Sequence, residues 1–375
     1  MRTVSAVVVG LCVSGAGCKD GEVPGRAAET EPDHATAPGP ERAVDAAPAP
    51  PPSEGATVEP GAPPPPTGIG VATWYLDCWD AFNDRDWTEL RDCYADALES
   101  VGVSARGADA MLAHARELVA AFPDAQGEPR LTLVDGGHLA AVVHVTGTHR
   151  GSLRTASGHE LAPTQQRIDL LVAHVVDLDP TGRVARQVLV FDSMSAMGQL
   201  GLLPAGVAYR RQVTRSLPPK TVVVAHDDAT ARRNLAVVQA AIDAFNRRDL
   251  VGLAASNAPE VVWTDVTAPA DQTRPERIAA VAALLQGFPD LRLQPIQVWA
   301  AGEYVVTTGV MTGTNRRAVP ALQLDGRGGT IRVPFVRIDD TDPGGEVDRG
   351  WWFVDRAAIA TQLARTAPGP TPPPK

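Results

Sequence analysis

A histidine that could move a proton stands in the segment VTGTHRG, residues 145–151. His149 follows an apolar, β-rich run and shares strand parity with two of its valines. This suits a pocket-facing position and equally suits a solvent-exposed strand end. Imidazole titrates near neutral pH, so such a residue can act as a general acid or base. A second segment, MTGTNRR, has Asn315 at the matching position, where we expect ligand binding without proton transfer.

Other side chains could line a pocket. His174 lies on the apolar parity of its strand pattern, where a histidine is either a hydrogen-bonded core residue or part of a site. Three tryptophans of the second half are further candidates, because an indole offers a flat apolar surface and one N–H donor. Core packing is the alternative for them. They are Trp263, Trp299 and Trp352.

The elements that must position these residues occur twice. Four landmarks recur in the same order, and the spacing between them is nearly kept. The recurring pairs are AFNDRD at Ala81 and AFNRRD at Ala244, FPD ending at Asp124 and Asp290, TGT at Thr146 and Thr312, and an aspartate followed by Gln-Leu at Asp192 and Asp355. We infer two diverged copies of one domain.

Each copy predicts helices first and strands afterwards. Apolar residues recur at helical spacing in the first helix, and Asp249 is placed to cap a short second helix. This order predicts an α+β fold, with helices on one face of a mostly antiparallel sheet. The predicted strands are 131–134, 139–148, 167–178 and 184–191 in the first copy and 291–299, 304–314, 329–339 and 346–353 in the second, with a last helix at 356–364.

The strand pattern from Arg167 is apolar on both parities. A strand that is apolar on both faces is buried on both faces. One face then covers a domain core, and the other requires a second partner. We expect the two copies to pack sheet against sheet.

The landmarks AFNxRD, FPD, TGTH and D…QL together resemble the SnoaL-like polyketide cyclase group of the nuclear transport factor 2-like superfamily. The resemblance covers residues 69–205 and 230–367. It implies two cone-shaped domains, each a curved, mostly antiparallel sheet wrapped on helices around a deep apolar pocket. Because many members pair through the outer sheet face, it also implies an intrachain pseudo-dimer. Family cyclases are thought to use an acid and a histidine, without metal or cofactor.

The resemblance singles out three candidate catalytic residues. His149 matches the histidine of the family's GTH pattern. The family usually has an acid in the final strand. In copy one Arg186 and Gln187 occupy that place, whereas in copy two Asp348 does. Asp265 matches the family's early-strand acid. Each copy thus retains half of the usual apparatus.

The cysteines fall into two groups. Cys78 and Cys93 flank the predicted turn between the first two helices, and both are absent from copy two. In an oxidising compartment we favour a disulfide, with two buried thiols as the alternative. Cys12 lies in the apolar leader and Cys18 at its end. No Cys/His spacing indicates a zinc site.

Composition bounds the class of protein. The formal net charge is −10 and no dense Lys/Arg block is present, which argues against nucleic-acid binding. Residues 1–17 read as a signal peptide. The SGAGC sequence resembles a bacterial lipoprotein box with lipidation at Cys18, and an ordinary secretory peptide is the alternative. Pro/Ala-rich residues 18–68 would form a spacer, 206–229 a linker and 368–375 a Pro-rich tail.

We expect an exported protein of the cell envelope. It would be anchored only through its lipid, in the outer membrane, and would face the periplasm or the cell surface.

Three functions remain open. The first function is binding of a small apolar molecule or a protein partner in the cones. The second is a cofactor-free cyclase, isomerase or hydrolase that uses His149, or Asp265 and Asp348. The third is a purely structural pseudo-dimer with filled pockets.

Overall fold

The computed structural model describes residues 67–103, 105–154, 160–226 and 228–366, which belong to one compact unit. The predicted signal peptide, the lipidation site Cys18, nearly all of the Pro/Ala-rich spacer and the Pro-rich tail lie outside the described residues. Within those ranges, no helix is both long and apolar enough to cross a membrane.

Domain 1 is the first copy of the repeat. Two helices precede its first strand, a third helix follows, and the remaining strands lead to a last helix. The helices are α1 (Ile69–Asp84), α2 (Trp87–Asp92), α3 (Ala108–Ala121) and α4 (Ser193–Gln199), and the strands are β1 (Tyr94–Val101), β2 (Gln126–Asp135), β3 (His138–Thr148), β4 (Leu153–Arg154), β5 (Glu160–Leu161), β6 (Arg167–Leu178) and β7 (Val184–Val190).

Domain 2 repeats this order after a short strand, β8 (Thr221–Val224). Its helices are α5 (Ala229–Arg247), α6 (Leu250–Ala255), α7 (Arg274–Gly287) and α8 (Arg356–Thr366), and its strands are β9 (Asn257–Asp265), β10 (Arg292–Ala301), β11 (Tyr304–Thr314), β12 (Ala318–Val319), β13 (Leu324–Asp325), β14 (Thr330–Thr341) and β15 (Val347–Phe353).

The two large sheets share one plan. The strand order is β1-β7-β6-β3-β2 in domain 1 and β9-β15-β14-β11-β10 in domain 2. Only the β1–β7 and β9–β15 pairs of these ladders are parallel. Register shifts follow Pro129 in β2 and Pro295 in β10, and such irregularities bend a strand and curve its sheet. The predicted α+β fold is confirmed. The strands β1 and β9 were not among the strands predicted from the pattern, although the family resemblance implied an early strand at Asp265.

The AFNxRD landmark is a helix-ending device. Arg85 and Arg248 each follow a helix in the left-handed conformation. The Arg85 guanidinium donates to the carbonyl oxygens of Pro123 (3.0 Å) and Ala125 (2.7 Å), and Arg248 donates to that of Pro289 (2.8 Å). The aspartate after each arginine caps the next helix, as predicted for Asp249. These residues fasten the helices to the FPD turn rather than perform chemistry.

The FPD and TGT landmarks form one hydrogen-bonded unit. The Asp124 carboxylate accepts from the backbone N–H (2.6 Å) and the hydroxyl (2.8 Å) of Thr148. Asp290 accepts from the same two groups of Thr314, both at 2.7 Å. The contact ties the end of the long strand to the turn after the third helix, so both landmarks are structural.

Residues 206–229 were predicted to form a linker, but they contain a strand and a buried arginine that contact the domains. Strand β8 joins the domain 1 sheet beside β2, with which it runs parallel. The buried guanidinium of Arg210 donates to the Ser216 hydroxyl (3.0 Å), the Asp271 carboxylate (2.9 Å) and the carbonyl oxygen of Asp265 (3.0 Å). An apolar strand and a buried cation both need partners, so this segment folds onto the domains.

The two sheets pack on each other through apolar side chains. Strand β6 is buried on both faces, as its sequence predicted. One apolar cluster draws on both domains: Leu131, Leu133, Ala140, Val142, Leu171, Ala173, Val175, Val188 and Val190 come from domain 1, and Trp299, Ala301, Val306, Val336, Ile338, Trp351 and Phe353 from domain 2.

Polar contacts between the domains concentrate at the starts of α4 and α8. Asp192 caps α4 and accepts from the Arg356 guanidinium, with Nη2 at 2.6 Å. Asp355 accepts from the backbone N–H (3.0 Å) and hydroxyl (2.9 Å) of Ser193, as well as from its own helix. Each aspartate therefore holds the other domain's helix in addition to its own.

Candidate functional site

Domain 1 encloses a cavity of about 160 Å³ between its helices and the concave face of its sheet. The wall is mostly apolar. Its aromatic and large aliphatic members include Trp74, Trp79, Phe82, Leu118, Phe122, Ile168, Leu170, Val172 and Phe191. A disulfide between Cys78 and Cys93 joins α1 to the end of α2, and both residues line the cavity.

A chain of hydrogen bonds crosses one wall of this cavity. Nε2 of Gln187 donates to the Ser100 hydroxyl (3.0 Å) and to Sδ of Met111 (3.1 Å). Its Oε1 then accepts from the Nε2–H of His174 at 3.0 Å. This leaves Nδ1 of His174 to accept from the Tyr75 hydroxyl at 2.8 Å. One tautomer of the imidazole satisfies both contacts.

Burial governs the charge of these groups. It lowers the pKa of His174 to about 4, although the hydrogen bond with Gln187 acts in the opposite direction and raises that pKa. It also raises the pKa of Tyr75 well above its ordinary value. At pH 7 both groups are therefore neutral, and the wall carries hydrogen bonds without charge.

Two other polar groups of the cavity wall have no hydrogen-bond partner among the described residues. The Tyr94 hydroxyl makes no hydrogen bond to the described residues, and burial raises its pKa to about 12. Nδ1 of His114 is buried and also has no partner within the described ranges. Burial lowers the pKa of His114. A bound molecule could satisfy either group.

Domain 2 has a cavity of about 200 Å³ in the same place, with a different wall. Asp265 accepts from Arg277 (2.6 Å) and from the N–H and hydroxyl of Thr267. Arg337 holds Asp339 through Nε and Nη2, with its shortest contacts at 2.7 Å. Both arginines line the cavity, so charged groups stand where domain 1 has neutral ones.

His149 does not line the domain 1 cavity, although its pocket-facing position was one expectation. It is fully buried behind Phe122, with the two rings stacked and their centroids 5.1 Å apart. Its Nδ1 accepts the backbone N–H of Thr164 (3.2 Å), and Oδ1 of Asn315 accepts that of Gly326 (2.9 Å). His149 and Asn315 therefore play the same part in the two domains. Each side chain accepts a backbone N–H from the loop that returns to it. Asn315 likewise does not line the domain 2 cavity.

Two other candidates lie away from the cavities. Asp348 is exposed, at the point where β15 shifts register against both of its neighbouring strands. Trp299 belongs to the apolar cluster between the sheets, since the last three residues of β10 are covered on both faces. His174 lies in the first cavity wall, and Asp265, Trp263 and Trp352 lie in the second. Their roles in binding or catalysis stay predictions.

Several residues that shape the cavities were not predicted from the sequence. Tyr75 lies in the predicted first helix of copy one and was not a candidate, and Gln187 was noted only as the replacement of an acid. Tyr94 and His114 carried no pattern. A signal was available for Arg337, because a single cation interrupts the apolar run VPFV–ID of β14. Among the described residues, no group of three or more His, Cys, Asp and Glu could hold a metal.

Comparisons with known proteins agree with this geometry. The profile of the SnoaL-like polyketide cyclase family matches residues 69–200, and that of the SnoaL-like domain matches residues 238–347. The chain thus belongs to the SnoaL-like family and carries two of its domains in tandem. The resemblance seen in the sequence landmarks is confirmed. No curated protein sequence matches the chain.

Solved structures of the same kind align with one domain's length. A SnoaL-like protein of Jannaschia sp. CCS1 is 21% identical, with a TM-score of 0.35, and the alignment covers 38% of this chain and 99% of that one. IdmH of Streptomyces antibioticus is 19% identical, with a TM-score of 0.32, and the alignment covers 35% of this chain and 98% of that one. An NTF2-like protein of Burkholderia pseudomallei is 24% identical, with a TM-score of 0.30, and the alignment covers 35% of this chain and 97% of that one.

Proposed function

We propose that domain 1 binds a small apolar molecule, about one ring in size, that carries one hydrogen-bonding group. The observation that carries this proposal is the cavity of about 160 Å³ with unpartnered groups on Tyr94 and His114. An apolar cavity of about 150 Å³ is large enough to bind benzene. The ligand's apolar part would lie against the aromatic wall, and its polar group would satisfy one of the two free groups.

The electrostatics favour binding over catalysis in this cavity. An efficient general base has a pKa near the working pH. The pKa of His174 is about 4, so its basicity is low, and its two nitrogens are already occupied by Tyr75 and Gln187. Proton transfer through the Tyr75–His174 contact is the alternative function, and it would require a substrate that displaces this hydrogen bond.

Binding can be measured by ligand-observed NMR with toluene and p-cresol. We expect saturable binding of both, with p-cresol the tighter because its hydroxyl can bond to Tyr94 or His114. Ala115 and Val281 occupy matching buried positions on α3 and α7, one in each cavity wall. Ala115→Phe should abolish the domain 1 site, whereas Val281→Phe should leave it. Thermal unfolding checks that both variants fold, and an absence of saturable binding to the unmodified chain would refute the proposal.

We propose further that the two domains act as an intrachain pseudo-dimer. Support comes from the shared apolar cluster and the reciprocal contacts of Asp192 and Asp355. A protease site inserted at the exposed Gly206 would cut the chain between the domains. We expect the halves to elute together in size-exclusion chromatography after cleavage. Halves that separate and remain monodisperse would contradict the pseudo-dimer.

Export and lipid anchoring at Cys18 are also proposals. The disulfide of domain 1 supports them, because structural disulfides persist in oxidising compartments such as the periplasm. Metabolic labelling with an alkyne fatty acid should mark the protein and place it in the membrane fraction. The Cys18→Ser variant should lose the label. Label retained by that variant would argue against this site.

A further inference from the structure

The hydrogen-bonded wall of domain 1 is replaced, position by position, in domain 2. His174 stands in β6 opposite the long strand β3, and Arg337 stands at the matching place of β14 opposite β11. Gln187 of β7 is matched by Gly350 of β15. The Trp263 indole fills the space this glycine leaves, since a Cβ there would lie 2.5 Å from the ring. A neutral network has thus been exchanged for an arginine and an indole.

The second arginine enters from the helix. Met111 of α3, which contacts the network of domain 1, is matched on α7 by Arg277. Cζ of Arg277 lies 4.8 Å from the ring centroid of Trp263 and 5.4 Å from that of Trp352. Cζ of Arg337 lies 5.0 Å from the Trp263 centroid. The two guanidinium groups and the two indoles therefore form one cluster in the cavity wall.

This cluster has more hydrogen-bond donors than acceptors. Both oxygens of Asp339 are taken by Arg337, and both oxygens of Asp265 are taken by Thr267 and Arg277. Within the described part of the chain, Nε and Nη2 of Arg277 and Nη1 of Arg337 have no hydrogen-bond partner. Burial lowers the pKa of Arg277, which reflects the cost of a cation there. A ligand that brings acceptor oxygens and negative charge would offset that cost.

We propose that the domain 2 cavity binds a one-ring aromatic carboxylate, with the carboxylate on Arg277 and Arg337 and the ring against Trp263 and Trp352. The cavity of about 200 Å³ suits a molecule of this size. Exposed small residues at its rim, Ala283 and Ala321, leave an entrance. This site is separate from the apolar site of domain 1, so the tandem chain holds two ligands of different chemistry.

Isothermal titration calorimetry of the unmodified chain with benzoate, and with benzamide as its neutral counterpart, tests the charge requirement. We expect benzoate to bind at least about tenfold more tightly, as one charge-assisted hydrogen bond would provide. Equal affinities, or no benzoate binding, would overturn the proposal without touching the domain 1 site.

Variants locate the site. Val281→Phe should abolish benzoate binding and Ala115→Phe should leave it, the reverse of their effects on toluene. Arg277→Gln should weaken benzoate about tenfold or more and leave benzamide unchanged, whereas Arg277→Lys should retain part of the affinity. Loss of benzoate binding in Ala115→Phe but not in Val281→Phe would place the anion in domain 1 and refute the assignment.

Discussion

Asp355 makes the stability of this protein depend on pH in a defined direction. The carboxyl lies at the junction of α4 and α8, partly buried and close to Asp192. Burial, and then the negative charge of Asp192, raise its pKa to about 6 from the ordinary 3.8. Hydrogen bonds from Ser193 and Ala357 oppose the shift without cancelling it.

The size of the effect follows from linkage. A carboxyl with a raised pKa binds its proton more tightly in the folded chain than in the unfolded one. Its ionisation therefore destabilises the fold as pH rises from about 4 to about 6, and the penalty stays constant above that range. A shift of about 2 pKa units corresponds to at most about 3 kcal/mol. Below pH 4 the penalty is absent.

The substitution Asp355→Asn mimics the protonated acid, because its amide can accept from the backbone N–H groups and donate to the Ser193 hydroxyl. We expect it to raise the free energy of unfolding at pH 7 by up to about 3 kcal/mol and to change it little at pH 4. Urea denaturation followed by tryptophan fluorescence at both pH values measures the difference. A difference between the two proteins that is the same at pH 4 and pH 7 would refute the reasoning.

Two other stability predictions follow from the covalent link and from one tight contact. Replacing Cys78 and Cys93 together by Ala should lower the free energy of unfolding by about 3 kcal/mol, which is the chain-entropy value for a loop of about 15 residues. Urea denaturation measures this change, and an unchanged midpoint would contradict the prediction. Gly350→Ala should cost about 1–3 kcal/mol because its Cβ would meet the Trp263 ring at 2.5 Å. The control Gly137→Ala, whose Cβ meets nothing closer than 3.8 Å, should shift the melting temperature much less, and equal shifts would sink this explanation.

The two cavities show how a duplicated domain can diverge without changing its frame. The landmarks kept in both copies, such as Arg85 and Arg248, bond to backbone groups that every copy of the fold presents. The wall positions differ in charge and volume, as with His174 and Arg337. Backbone geometry constrains the first set, whereas ligand chemistry would constrain the second.

The fold class, the duplication and the family could all be predicted from the sequence. Apolar periodicity and the recurring landmarks are local in the chain, and they need no knowledge of which elements meet. Strand β6 also revealed its burial on both faces, because an apolar run on both parities has that one explanation.

Which residues share a cavity could not be predicted in this way, because it depends on how the helices pack on the sheet. Tyr75 and His174 are 99 positions apart and meet at 2.8 Å only because α1 lies across the concave face of the sheet. Parity places a side chain on one face of a strand but does not say which covered face encloses the cavity, so it could not show that Trp299 packs between the sheets. His149 and Asn315 looked like a catalytic group and its loss, yet each supplies an acceptor to the loop that returns to it.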